Sequence, residues 1–244
     1  MIVSSNGRPL LPPSARPWAG ALLACCAVLV AVLGVLFAHQ SSADGFDHAI
    51  DSRVIAWLGG HRGLLLWLAA PGSLIPAVVL SAVIVGACLL TGRLNGAVLA
   101  ATAVPVAVGL DEVLLKPVVD RTYWGNVVYP SGHTTAVFAL AATVTVLLLP
   151  PPRPAKAAAL RVLLPVAACV LGVIVAIAVI GLQWHYFTDT VAGAAVAVGT
   201  VCGLALLLDL PAPRRWLARL GNQPPTVRRK RTHAERAGTG AGRY

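Results

Sequence analysis

Six long apolar stretches alternate with short polar connections along this chain, at residues 19–38, 73–90, 95–115, 134–149, 162–182 and 188–208. With 1.5 Å of rise per residue, stretches of this kind approach or exceed the ~30 Å hydrocarbon core of a bilayer. The pattern predicts six membrane-spanning helices. A further apolar run, 64–70, is too short to span and is broken by Pro71-Gly72, so it predicts an interfacial turn of helix. Pro76, Pro105, Gly172 and Gly193 fall inside long runs. Neighbouring helices can satisfy the backbone groups that such residues free. The first run does not read as a secretory signal: it is too long, and a second span follows without an evident cleavage site.

Composition supports the same class. Of 244 residues, 57 % are hydrophobic and only 11 % charged, with a mean hydropathy of +0.79, where a soluble domain carries about a quarter charged residues. The expected organisation is a cytoplasmic segment over 1–18, a six-span domain over 19–208 and a basic cytoplasmic tail over 209–244. The net charge of +10 changes the picture through its distribution. Six spans place 15 of the 19 basic residues on one side, and only Arg53, Arg62, Lys116 and Arg121 on the other. The positive-inside rule makes the first side cytoplasmic, with both termini there. The tail, with "VRRKRTHAER", reads as disordered or lying on anionic headgroups, and a nucleic-acid partner is not expected. Five cysteines all fall in apolar runs and read as small buried residues, not as disulfides or a metal cluster.

Three polar clusters converge on the other side of the membrane. The first, "DEVLLKPVVDRTYW", closes the third span with Asp111, Glu112, Lys116, Asp120 and Arg121; the second is "YPSGHTT" at 129–135; the third, "LQWHYFTDT", holds His185 and Asp189. His185 and Asp189 are four apart, so on a helix they share a face, and a carboxylate there can fix the tautomer of the imidazole. That is the arrangement of an activated nucleophile with its orienting group, although an interfacial histidine with a helix-capping aspartate is an equal alternative. Exposed amides of Ser131, Gly132 and His133 at a helix start form an anion seat, against the plainer reading of an ordinary N-cap. Lys116 and Arg121 supply cations, although Lys116 also stands four residues after Glu112, as an ion-paired lysine would. Taken together the clusters read as a phosphate-handling site. No Walker-type loop is present, so no nucleotide is implied.

These motifs resemble those of the type 2 phosphatidic acid phosphatases, membrane lipid-phosphate phosphatases that share a site plan with the vanadium haloperoxidases. The family pattern is K-x6-R-P, then P-S-G-H, then S-R-x5-H-x3-D. This chain matches it at Lys116, at Pro130-Ser131-Gly132-His133, and at His185 and Asp189, over roughly residues 60 to 208. It departs at two arginine positions, which hold Tyr123 and Val179, with Ala178 in place of the serine. Arg121, two residues before Tyr123, offers a substitute for one of them through a shorter loop. The other has no nearby replacement unless Arg53 or Arg62 reaches in from the first external loop.

The resemblance implies an all-α, six-helix integral membrane bundle and a phosphatase of the plasma membrane whose site faces outside. It casts His185 as the nucleophile that becomes phosphohistidine, Asp189 as its orienting group and His133 as the acid and then the base. Lys116, Arg121, Ser131 and Gly132 would hold the phosphoryl oxygens, with no metal and no cofactor. Expected substrates are prenyl diphosphates such as undecaprenyl diphosphate, phosphatidic acid or phosphatidylglycerophosphate. The expected partners are the lipid substrate and membrane lipids, and a homodimer that supplies an arginine in trans is left open. The alternatives are a catalytically silent lipid-phosphate binder, a small transporter, and a zinc site made by His133, His185 and Asp189.

Overall fold

The computed structural model describes residues 9–149 and 155–211. Helices are α1 (Arg16–Phe37), α2 (Gly45–Leu58), α3 (Arg62–Ala69), α4 (Leu74–Leu90), α5 (Leu94–Gly109), α6 (Lys116–Val119), α7 (Gly132–Leu148), α8 (Ala155–Gly181) and α9 (Phe187–Leu208). A π-helical segment, Leu110–Leu115, joins α5 to α6. A hairpin of two-residue strands, β1 (Thr122–Tyr123) and β2 (Asn126–Val127), follows. Its turn is Trp124-Gly125, with φ of 49° and 79°. Two successive positive φ values suit the twist of a two-residue hairpin, and glycine takes the second without steric cost.

All six apolar runs are helical. Four helical stretches are long and apolar enough to cross a membrane alone: Pro13–Phe37, Leu94–Val119, Ala159–Gly181 and Phe187–Leu208. A fifth arises if Arg62–Gly72 and Leu74–Leu90, bent by 41°, form one broken span. At 17 residues, α7 is about 26 Å long, short of a full hydrocarbon core. Length and apolarity alone thus select four to five candidate spans among the described residues, against the six expected. The short helix expected over 64–70 is α3, whereas α2 was not anticipated. Its sequence, "GFDHAIDSRVIAWL", mixes charge and oil without a clean apolar face. Of the basic tail expected to be disordered, residues 212–244 lie outside the described residues.

Small residues set the packing. With lipid tails as apolar as the side chains, helices in a membrane associate through close backbone approach. The buried face of α5 includes Gly96, Ala97, Ala100, Ala103 and Ala107, and that of α9 includes Ala192, Gly193, Ala197, Gly199 and Ala205. Between them α7 buries Ala136, Ala139 and Ala141 and packs on α5, α8 and α9. Outward faces of α1, α4 and α8 expose Val32, Val35, Val79, Val83, Val166 and Val170, as lipid-facing surfaces do.

Polar ties mark the two ends. The Asp209 carboxylate, after α9, accepts from the Leu10 and Leu11 amides at 2.8 and 2.9 Å, with Arg16 at 3.7 Å. Arg93, before α5, donates to the Leu147 carbonyl at 2.8 Å. The start of α1, the α4–α5 connection and the ends of α7 and α9 therefore share one end of the bundle. Asp189, twenty residues before Asp209 on a helix, lies about 30 Å away at the other.

Gly193 is the tightest point of the α7–α9 seam. A Cβ there would stand 2.6 Å from the Ser131 carbonyl and 2.9 Å from Thr135 Oγ1. Gly193→Ala should cost about 1–3 kcal/mol, as overpacking does, and lower the thermal midpoint in detergent. Gly86→Ala, where nothing lies within 4 Å, is the control and should leave the midpoint unchanged or slightly raised.

Candidate active site

Arg121 sits at the centre of the polar end. It follows Asp120, whose left-handed φ of 50° ends α6 and turns the chain inward. Its side chain is wholly buried. Nη2 donates to Asp47 at 2.5 Å, and Nη1 donates to Asp189 and to the Thr188 hydroxyl, both at 2.7 Å. The rings of Phe37 and Tyr186 cover the guanidinium, each with its centroid 4.2 Å away. One residue thereby joins the end of α1, α2, the hairpin and the start of α9.

The acids of α2 serve the start of α9. Asp47 accepts from the Thr188 amide at 2.9 Å, and Asp51 from the Phe187 amide at 3.1 Å. Asp189 accepts from the Tyr186 amide at 2.9 Å. Carboxylates on the opening amides of a helix satisfy donors that lack an intrahelical partner and complement the helix dipole. Burial, together with the charge of nearby Asp47, pushes the Asp51 carboxyl up to about 7.

His185 lies just before α9, whose N-cap is Tyr186. The expectation that His185 and Asp189 share a helical face is therefore not met, and Nδ1 stands 3.9 Å from Asp189 Oδ2. Its partner is the Val128 carbonyl at 2.9 Å. A carbonyl only accepts, so Nδ1 carries the hydrogen and Nε2 keeps its lone pair. Burial, reinforced by Lys116 and His133, pushes His185 down to about 3, so the ring is neutral at ordinary pH. Asp189 acts on it only indirectly, through Arg121 and the Tyr186 amide.

His133 opens the first turn of α7. Its Nε2 is 3.4 Å from the Ser73 hydroxyl, and its ring centroid is 5.4 Å from that of Trp184. Gly72 presses on its backbone: a Cβ there would meet the His133 carbonyl at 2.7 Å. The bend between α3 and α4 thus holds His133 in place. Ser131 is the N-cap of α7, but its amide donates to the Asp189 carbonyl at 3.0 Å and is not available to an anion as expected. The next amides, Gly132 and His133, have no preceding helical turn to engage them.

His133, His185, Gly132, Lys116, Glu112 and Arg62 line one cavity of about 650 Å³. Of the expected site residues it unites both histidines, Gly132 and Lys116. Arg121, Ser131 and Asp189 stand behind it, so Arg121 is not placed as the phosphate clamp that was expected. Lys116 is bonded to Glu112 at 2.6 Å, and the same carboxylate oxygen lies 3.2 Å from where a Cβ on Gly132 would be. Glu112 thus occupies part of the anion seat. Tyr123 stacks on Tyr186 at 4.4 Å, and Val179 is wholly buried.

Sequence reading missed Asp47, Asp51, Ser73, Thr188 and the Val128 carbonyl. One signal was present. Asp47 and Asp51 are four apart in an acid-poor chain, the spacing of one helical face.

This is an all-α, membrane-type bundle with a histidine-lined polar cavity at one end. Residues 111–213 match the family model described as the PAP2 superfamily, a phosphatase-type superfamily of all-α membrane fold. The matched segment runs from Asp111 through α9 and includes both histidines, Lys116, Arg121 and Asp189. Comparison with curated proteins and with solved structures gave no match.

Removing the guanidinium should expose its importance. Arg121→Ala leaves Asp47 and Asp189 buried and unpaired, and should cost about 3–5 kcal/mol, read as a large fall in thermal midpoint. Asp51 should impose a pH dependence. Its folded pKa lies above the ordinary carboxylate value, so its contribution is fully present below pH ~4 and is lost as pH rises through 7. Asp51→Asn should be more heat-stable than the parent at pH 8, with the difference vanishing near pH 4.

Proposed function

We propose that the protein is a membrane phosphatase that hydrolyses a lipid phosphate or prenyl diphosphate through phosphohistidine at His185. One observation carries the reading. His185 is held neutral, with Nδ1 committed to the Val128 carbonyl, in the same cavity as His133 and Lys116. A neutral imidazole with its Nε2 lone pair free is the form of histidine that can attack phosphorus.

Nε2 of His185 attacks the terminal phosphorus and the bond to the leaving oxygen breaks, which frees the lipid alcohol from a monophosphate or the lipid monophosphate from a diphosphate. His133 gives its proton to that leaving oxygen. It then takes a proton from water, which attacks the phosphohistidine, releases inorganic phosphate and restores His185. Lys116 and the Gly132 and His133 amides face the equatorial oxygens, where charge builds in the transition state. For phosphate to enter the seat, Glu112 gives up its place beside Gly132. Asp189 and Arg121 are positioning residues, which fix the loop that carries His185. Mouth and cavity lie at one end of the bundle, so a lipid can keep its chain among the helices while its phosphate enters. The basic residues Arg16 and Arg93 belong to the opposite end, which supports a site facing away from the cytoplasm.

The deciding experiment is phosphate release by detergent-purified protein from a panel of lipid mono- and diphosphates, in EDTA, beside His185→Ala. Release should fall by at least about 10³-fold in the variant, and acid-labile phosphoprotein should be trapped only with the parent. Release that survives in His185→Ala overturns the mechanism. Absence of release from every lipid, with lipid still bound, points to a silent binder, which the pairing of Lys116 with Glu112 and the seclusion of Arg121 would then explain.

A further inference from the structure

We infer that Arg62, at the start of α3, is the guanidinium that grips the phosphoryl group. This rests on the phosphatase reading above and deepens it. The cavity wall holds two fixed cations, Lys116 and Arg62, and one carboxylate, Glu112. Lys116 is neutralised by Glu112 at 2.6 Å, and His185 is uncharged. Arg121, the cation nearest behind the site, is bonded to two carboxylates of its own. Without Arg62 the fixed charges of the cavity wall, Lys116 and Glu112, cancel one another. Among the described residues Arg62 makes no ion pair.

Packing explains why it reaches the cavity. One turn after Arg62, Leu65 is 1 % exposed, and Ala69 follows one turn later at 1 %. Both pack against Val175, Ala178, Val179 and Leu182 of the α8 side. Gly181 admits the Leu65 side chain at 3.0 Å from where its Cβ would be. Residues three apart share a helical face, so the contact that anchors Leu65 turns Arg62 toward α8 and the cavity beside it. Small apolar residues at 178 and 179 leave room for α3 to dock. Any long charged side chain at 179 would occupy the volume that α3 now fills. The same docking brings Gly72 and Ser73, at the end of this segment, onto His133. One helix thus supplies the cation and positions the acid.

The planar fork of arginine meets two phosphoryl oxygens at once, which a lysine cannot do. The test uses full-length protein in detergent and two readouts: inorganic phosphate binding by calorimetry, and phosphate release from lipid phosphates. Arg62 is exposed at a helix start, so its variants should fold. Arg62→Ala should weaken phosphate binding about 10- to 100-fold and lower kcat/KM about 10²- to 10³-fold. Arg62→Lys should fall between, and guanidinium ion should restore part of the Arg62→Ala rate. Arg53→Ala, exposed on α2 and outside the cavity lining, should stay within about two-fold of the parent. If Arg62→Ala binds phosphate within about two-fold of the parent while His185→Ala still abolishes turnover, the Arg62 inference is overturned and the phosphatase reading stands. If the parent neither binds inorganic phosphate nor releases it from any lipid, the phosphatase reading fails and this inference fails with it.

Discussion

A single buried guanidinium organises the polar end of this protein. Arg121 has no contact with solvent and bonds two carboxylates that arrive from sequence positions 74 residues before it and 68 after it. Taking such charges from water is costly, and only good geometry and further hydrogen bonds offset it. Both are present. Thr188 bonds Arg121 and Asp47, and the Tyr186 amide bonds the second oxygen of Asp189. The worth of this cluster lies less in net stability than in specifying one arrangement. A misplaced α2 or hairpin would leave an uncompensated buried charge.

From that constraint the site follows. Asp189, held by Arg121, fixes the start of α9, and its carbonyl receives the Ser131 amide that opens α7. The hairpin after Arg121 presents the Val128 carbonyl to His185 Nδ1. The α3–α4 bend closes the far side against His133. Each histidine is thus set by a backbone group or a hydroxyl, not by a carboxylate partner. A histidine oriented by a carbonyl stays less basic than one paired with a carboxylate, and burial lowers it further. The result is a neutral imidazole whose Nε2 is left to the cavity.

Much was legible in the residues themselves. Apolar runs of nearly twenty residues have few alternatives to helix in a bilayer, where every backbone group must be satisfied within the segment. For that reason the helices α1, α4, α5, α7, α8 and α9 fall where the runs do. P-S-G-H and H-x3-D are dense enough in chemistry to mark the cavity. What stayed hidden were relations between distant residues. Spacing of four suggested a His185–Asp189 bond, yet the helix starts only after His185, and both oxygens of Asp189 answer to other groups. Spacing of four also suggested Lys116 with Glu112, and there the pair forms, because both stand in continuous helical backbone.

The sequence alone determined the membrane class, the helical positions and the identity of the two histidines, because each depends on local composition or on a contiguous motif. Tertiary structure decided which cation meets the cavity, which carboxylate meets Arg121 and which group orients His185. These are choices among many similar side chains, and they turn on where helices dock. Docking in this bundle is set by small residues such as Gly181 and Gly193, which matter through the space they leave. A linear sequence shows that such a residue is small, but not what fills the space beside it.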